Sequence, residues 1–353
     1  MPCSLHRNGR GRRFLSLLER FLIEAKDWDA ISLYDRLHWP DLTRLSAASR
    51  LLHHLVRSYK ETIWNIDIFA AEWFDNPIEF RAILALTGAL VAGSQVVQFF
   101  DGHQPLNGTP LDVVTRVGGV PGFIVFLEEE GYEKVPVGGE VNSDAESTMA
   151  SAFAMSSTIQ FQERGRINGI VDVLEYVKPR IPGRYAEVVR IQIIVVTQNP
   201  VEHILMNYHS TGVMNFFSHS EAVSFFPATT FLSRLFLPSS RADLGYEWNP
   251  PWKWKYERRG FQVDAERVHP GLRLGLRTVK DKYSWVIPFN VSPRRIKEEE
   301  ERSIYGPSGI DTYQVDLTWI AEDTYGLKRW HLAIYEPYVF WYLAPLYVRS
   351  SSS

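Results

Sequence analysis

The order of elements between residues 84 and 116 is the sequence feature that most limits the possible folds. The apolar run LALTGALVA ends at Gly93, the short stretch QVVQFF has helical character, and LDVVT is rich in β-branched residues. β-Branched residues favour buried strands. Farther along, EVVRIQIIVVTQNP predicts another strand over residues 188–197, stopped by Asn199 and Pro200. This succession of strand, helix and strand predicts a buried sheet with helices packed against it.

Helical patterns precede this region and return after it. Apolar residues recur at helical spacing over residues 14–60, and residues 61–82 predict one helix or a pair, with Asn76 and Pro77 as stop and restart. A helix is predicted between Pro121 and Gly131. Residues 138–170 are small and polar, which predicts an insertion or flexible loop with a modest strand near FAMSSTIQF. Helical character resumes over VEHILMNYHSTGVMNFF.

The composition changes after about residue 238 to Trp, Pro, Lys and Arg. Aromatic and basic residues alternate in WNPPWKWKYERRG, and this alternation predicts a strand with one aromatic and one charged face. We favour an edge strand that buries its aromatic side over a nucleic-acid surface in which aromatics stack on bases and lysines meet phosphates. RRIKEEEER, residues 294–302, predicts a solvated charged segment.

Bulk composition excludes several classes of protein. Hydrophobic residues make up 45% of the 353 residues and charged residues 22%, which is typical of globular domains. The net charge of -3 gives no overall attraction to nucleic acid or anionic lipid. The single Cys3 forms no internal disulfide, which favours an intracellular location, cytoplasmic or nuclear, over a mitochondrial one suggested by the basic start. Apolar runs are too short to cross a membrane, so no membrane partner is expected.

The middle of the chain resembles the nucleotidyltransferase superfamily, the polymerase-beta-like fold, and a group of proteins of mushroom-forming fungi. ALVAGSQVVQFF, TPLDVV and VRIQIIVV follow the order of strand, Gly-Ser turn, helix, acidic strand and third strand. The resemblance covers residues 60–235. The residues that match the fungal group are Gly93, Ser94, Phe99, Phe100, Leu111, Asp112, Gly131, Tyr132, His209, Ser210, Thr211, Met214 and Asn215.

The resemblance implies a particular chemistry for these positions. In nucleotidyl transfer a Gly-Ser turn holds the triphosphate, here Gly93 and Ser94, and three carboxylates on adjacent strands hold two Mg²⁺ ions. The second carboxylate corresponds to Asp112, whereas the first falls at Pro110 and the third aligns with Gln192. One carboxylate does not anchor two magnesium ions tightly. The sequence therefore predicts that two-metal catalysis is lost.

Alternatives remain at each candidate position. A different register would let Asp101 and Glu187 supply the missing carboxylates, and the chain would then be an active, Mg²⁺-dependent transferase. Asp112 is equally a strand-end cap for a backbone amide. Gly93 and Ser94 are also consistent with a simple helix start. A second group at a presumed helix start predicts either ligand contacts or capping; its members are His209, Ser210, Thr211 and Asn215.

The N-terminal helical segment LYDRLHWPDLTRLSAASRLLHHLV suggests a separate hypothesis. It resembles a degraded F-box, the helical module that docks substrate adaptors onto a ubiquitin ligase, and Trp39-Pro40-Asp41-Leu42 is the closest landmark. Residues 30–60 would then bind a protein partner. The alternative is a helical bundle packed against the middle domain.

The predicted fold class is α+β in three parts. Residues 1–60 form a helical N-terminal region, 61–237 a nucleotidyltransferase-like mixed sheet with flanking helices, and 238–353 an aromatic-rich C-terminal extension packed on the middle domain. The favoured function is a catalytically degenerate module that binds a nucleotide, a nucleic acid or a protein partner. The alternatives are an active nucleotidyltransferase and an F-box-like adaptor.

Overall fold

The computed structural model describes most of the chain. It covers residues 15–24, 33, 34, 37, 39–103, 105, 106, 108–135, 169–179, 188–239, 251–263, 270–289 and 293–303, and the backbone of strands at 314–320 and 329–335. The predicted loop and strand within residues 138–170 therefore lie almost entirely outside the described residues. The chain divides into two compact units, Met1–Ile63 and Trp64–Ser353.

The first unit is helical, as predicted. Its helices are α1 (Leu17–Glu24), α2 (Trp39–Ala48) and α3 (Arg50–Ile63). In α3 the buried residues Leu52, Val56 and Tyr59 follow one another at helical spacing, so they form a single apolar stripe. That stripe packs with Tyr34 and Leu42 in a small core of the unit's own.

The second unit contains helices and a large sheet. Its first elements are α4 (Ile66–Ala70), α5 (Pro77–Thr87), β1 (Leu90–Ala92), α6 (Ser94–Phe100), β2 (Leu111–Arg116), α7 (Val120–Glu129), β3 (Glu133–Lys134), β4 (Ile170–Pro179) and β5 (Val188–Val196). Its later elements are α8 (Pro200–Asn207), β6 (Asn215–Phe217), β7 (Glu221–Ser224), β8 (Leu235–Phe236), α9 (Pro251–Glu257), β9 (Gln262–Val263), β10 (Gly275–Thr278), β11 (Trp285–Pro288), α10 (Arg294–Arg302), β12 (Gln314–Ile320) and β13 (Arg329–Tyr335). Helices and a mixed sheet confirm the α+β class.

The main sheet has eight strands in the order β11-β7-β6-β1-β2-β5-β4-β3. Its neighbouring strands are antiparallel except for β2 and β5, which run parallel. Strands β1, β2 and β5 lie side by side at its centre, so the turn after β1 adjoins the start of β2. Two small sheets, β10-β12-β13 and β8-β9, complete the described strands.

Both faces of the main sheet are covered. On one face, α5, α6 and α7 pack onto strand residues that include Val91, Val113, Ile193 and Phe217. On the other face, α8 packs onto Leu90, Val114, Val196 and Phe216. Because side chains alternate along a strand, Asp112 lies on this second face, between two residues that serve the first.

Local sequence signals explain several of these boundaries. The Asn76 side chain accepts the backbone amide of Glu79 and Pro77 opens α5, as the stop and restart at these residues predicted. Gly88, at φ 62°, ends α5 in the left-handed conformation. The helix predicted between Pro121 and Gly131 is α7, and it ends at Glu129, two residues before Gly131. No described helix combines the length and apolar composition that crossing a bilayer requires.

The sequence predictions for residues 201–217 and 294–302 are wrong. The helical stretch predicted over residues 201–217 ends at Asn207, and a 3₁₀ turn and strand β6 replace its second half. The charged segment at 294–302 is not simply solvated, because it forms α10 and buries Ile296 completely against Ala82 and Ala85 of α5. An ion pair of 2.7 Å between Arg295 and Glu79 adds to this packing.

Candidate functional site

The predicted Gly-Ser turn lies where β1 passes into α6. Gly93 has φ 79° and ψ -155°, a backbone conformation essentially confined to glycine, and Ser94 is the first residue of α6. A Cβ atom on Gly93 would lie 2.2 Å from Oδ2 of Asp112. Glycine is therefore required both by the backbone and by the close approach of the carboxyl group. The helix start is capped by no side chain.

Asp112 stands beside this turn at the second residue of β2. Its Cα pairs with Ala92 of β1 and with Gln192 of β5. The Oδ1 atom is buried and has no hydrogen-bond partner, so a capping role for that oxygen is wrong. Burial raises the pKa of Asp112 to about 7, with the charge of Lys255 acting in the opposite direction. Near neutral pH the carboxyl group is therefore partly protonated.

Helix α9 supplies two side chains to the same turn. Lys255 donates a hydrogen bond of 2.5 Å from Nζ to Ser94 Oγ. The hydroxyl group of Tyr256 donates a second one of 3.3 Å to the same oxygen. Burial lowers the pKa of Lys255, and Arg259 lowers it further, while Asp112 raises it. The Ser94 hydroxyl group is thus held by a lysine whose ammonium form is destabilised.

The strand predicted over WKWKY is wrong. Residues 251–257 form a helix, so Trp252, Lys255 and Tyr256 share one face instead of alternating. Trp252 and Trp254, which a strand would place together, now point in different directions, and Trp254 is 50% exposed. Lys255 and Tyr256 were not predicted as site residues, because the alternation of aromatic and basic residues in this segment predicts a strand. Pro251 at the helix start was the available signal.

His209 joins the site through α9. Its ring stacks on Trp252 with a centroid distance of 4.0 Å and an interplanar angle of 19°. Burial and then the charge of Lys255 lower the pKa of His209 to about 3, so the imidazole is neutral at physiological pH. Its Nδ1 atom is buried without a hydrogen-bond partner.

Two of the other candidate residues near His209 have side chains that bond to the protein backbone. Thr211 Oγ1 accepts the backbone amide of Leu237, and Asn215 Nδ2 donates to the carbonyl of Gly212. Ser210 precedes the 3₁₀ turn, but its side chain makes no capping bond. These three polar residues are fully buried, and the bonds of Thr211 and Asn215 to the backbone indicate a structural role, whereas Ser210 Oγ and Asn215 Oδ1 have no hydrogen-bond partner.

Among the described residues, no replacement carboxylate joins Asp112 at the turn. Asp101 forms a two-pronged ion pair with Arg234 at 2.5 and 2.8 Å, and Glu187 lies outside the described residues. Glu175, which pairs with Gln192 across β4 and β5, is bonded to Arg190 at 2.8 Å. Within the described ranges no group of three or more His, Cys, Asp or Glu could hold a metal. One carboxyl group beside a lysine does not fit a pair of Mg²⁺ ions.

The F-box-like segment is also placed by the structure. Its Trp39-Pro40-Asp41-Leu42 step opens α2, and Leu42 is only 4% exposed in the core of the first unit. Leu45 packs partly buried against the same core. These two leucines therefore hold the unit together and are not an open docking surface.

Comparisons with known proteins returned nothing for this chain. No family model matches it, and neither the curated proteins nor the solved structures contain a match.

Proposed function

We propose that this chain is a catalytically degenerate nucleotidyltransferase-like module that binds the phosphate group of a nucleotide without transferring it. The observation that carries the proposal is the 2.5 Å hydrogen bond between Lys255 Nζ and Ser94 Oγ, beside the carboxyl group of Asp112. A cation and a hydroxyl group at one point complement a phosphate oxygen. The same pair gives a divalent metal ion no anionic ligand.

The charge balance of the site supports an anionic ligand. Deprotonated Asp112 would repel a phosphate, but the pKa of about 7 leaves much of this carboxyl group neutral at physiological pH. His209 is neutral as well, since its pKa is about 3. The positive charges near Ser94 are then those of Lys255 and Arg259. Arg259 is close enough to lower the pKa of Lys255. Electrostatics therefore favours negative ligands.

The aromatic side chains favour a nucleotide over inorganic phosphate. Trp252 is only partly buried and stacks with His209 on the face of α9 that also carries Lys255. A base can stack on such an aromatic surface, and each stacked base contributes about 1–3 kcal/mol to binding. Stacking without base-edge contacts predicts little discrimination among bases. A free nucleotide is preferred here to a long nucleic acid because the chain carries a net charge of -3.

The test is equilibrium binding of fluorescent ATP in EDTA, compared among Lys255→Met, Lys255→Arg and the wild type. Loss of a charge-assisted hydrogen bond of about 1.5–3 kcal/mol predicts roughly ten- to hundredfold weaker binding for Lys255→Met. Lys255→Arg keeps the charge and most of the affinity. Lys253→Met is the matched control, because Lys253 pairs with Glu257 on the same helix. Equal binding by Lys255→Met and the wild type would refute the proposal.

A transfer assay separates this proposal from the active-enzyme alternative. Labelled nucleoside triphosphates are incubated with RNA or protein acceptors and either magnesium or manganese. We expect no transfer that depends on Asp112, because the described residues form no group of three or more His, Cys, Asp or Glu that could hold a metal ion there. Clear transfer by the wild type that disappears in Asp112→Ala would establish a working transferase instead.

A further inference from the structure

The geometry points to a second capacity of the same residue pair: we propose that Ser94 and Lys255 act as nucleophile and general base in acyl transfer from a carboxylic ester. This activity goes beyond phosphate binding and does not depend on it. Ser94 follows a strand and a strained glycine at the start of a helix, and Lys255 Nζ lies 2.5 Å from its hydroxyl oxygen. A serine within hydrogen-bond reach of a base is the basic requirement for an activated nucleophile.

The surroundings single out Lys255 as the base. Its pKa is lowered by burial and by Arg259, which favours the neutral amine, and Asp112 opposes this effect. His209 is a poor base because its pKa is about 3. Tyr256 donates to Ser94 Oγ and so positions the hydroxyl group, and a neutral Lys255 amine at the same 2.5 Å contact would accept the Ser94 proton.

The reaction balances without a cofactor. Neutral Lys255 takes the Ser94 proton as Oγ bonds to the ester carbonyl carbon. The bond from that carbon to the leaving oxygen then breaks, and the alkoxide takes the proton from the ammonium group. Water attacks the acyl-serine in the same way, which releases the carboxylic acid and restores both side chains.

The direct test is labelling of the full-length protein with a fluorophosphonate, in which the serine oxygen bonds to phosphorus and fluoride leaves. We expect an adduct that mass spectrometry maps to Ser94. Ser94→Ala should abolish it, and Lys255→Arg should slow it at least about a hundredfold, because arginine does not deprotonate in proteins. Lys253→Met should label at the wild-type rate. Hydrolysis of p-nitrophenyl acetate should follow the same order.

The pH dependence of the labelling rate tests Lys255 as the base, because a lysine with only a structural role would not determine it. The wild-type rate should rise with pH as Lys255 loses its proton. Asp112→Asn removes the carboxylate that raises the pKa of Lys255, so the profile should shift to lower pH. Arg259→Met removes the charge that lowers it, so the profile should shift to higher pH. An Asp112→Asn profile and an Arg259→Met profile that both coincide with that of the wild type would contradict the assignment of Lys255 as the base.

The two functions fail independently. Absence of a Ser94 adduct in a wild-type protein that binds ATP overturns the acyl-transfer proposal alone. Labelling in a protein that does not bind ATP overturns the phosphate proposal alone. Lys255→Arg is the decisive variant, because it should bind nucleotide and yet label poorly. Wild-type labelling by a folded Lys255→Arg would show that the lysine is not the base.

Discussion

Gly93 and Asp112 restrict one another at the turn. The glycine adopts a conformation that other residues avoid, and the Asp112 carboxyl group fills the space where a side chain at position 93 would lie. The carboxyl group in turn has one buried oxygen without a hydrogen-bond partner, which destabilises its ionised form. The rest of the fold must therefore offset the free-energy cost of the Gly93 backbone conformation and of the buried Asp112 oxygen.

Replacing Gly93 by Ala should destabilise the protein by about 3 kcal/mol or more, because backbone strain and a steric clash add together. Gly131→Ala is the matched control: Gly131 also has a positive φ of 80°, but the nearest atom to its added Cβ is 4.0 Å away. It should cost about 1–2 kcal/mol. Urea denaturation measures both. In an Asp112→Ala background the Gly93→Ala cost should shrink, and unchanged additivity would contradict the clash.

Asp112 should make stability fall as pH rises. A carboxyl group whose pKa is raised from 3.8 to about 7 holds its proton more tightly when folded, so unfolding becomes easier between these two pH values. Asp112→Asn removes this dependence. The variant should match the wild type near pH 4 and gain up to about 4 kcal/mol relative to it by pH 8. The measurement is the free energy of unfolding by urea at several pH values; parallel curves would contradict the prediction.

At the scale of elements, the periodicity of apolar residues predicted the helices and strands that short stretches of sequence determine. Amphipathic spacing identified the N-terminal helices because one face of such a helix is buried, and β-branched residues identified β2 and β5 because both faces of these strands are covered. α9 was missed because PWKWKYE alternates aromatic and basic residues in a helix that is only seven residues long. The bond between Lys255 and Ser94 joins residues 161 positions apart, and no local pattern encodes such a contact.

The two tryptophans of α9 distinguish a helix from a strand in solution. Trp252 stacks on His209, whereas Trp254 is half exposed. Trp252→Ala should therefore lower the free energy of unfolding by about 2 kcal/mol, and Trp254→Ala should change it by less than about 0.5 kcal/mol. A strand would place both rings on one face and give similar losses. Thermal unfolding of the two variants, compared with the wild type, decides between these outcomes.

At the scale of the whole molecule, each unit has a core of its own. The apolar cluster of the first unit consists of residues between positions 22 and 63. The large clusters of the second unit consist of residues between positions 64 and 289. The site residues Gly93, Ser94, Asp112, His209 and Lys255 all belong to the second unit. Cores that share no residues can fold separately.

A chain that begins at Trp64 should consequently fold and keep the site. We expect it to unfold cooperatively and to bind ATP within about threefold of the full-length affinity, because about 0.6 kcal/mol corresponds to that factor. Circular dichroism and the fluorescent ATP assay provide the measurements. A truncated chain that is folded but binds much more weakly would mean that the first unit contributes to the site.

The parallel alignment of β2 with β5 has a consequence for the folding pathway. Leu111 pairs with Ile191, so a long stretch of chain must close before this ladder can form, whereas β6 and β7 need only a short turn to pair. Loop closure over long separations is slow, and contacts of this kind delay folding. We therefore expect β2 and β5, including the pair Asp112 and Gln192, to come together late, after the local helices and the β6–β7 hairpin have formed.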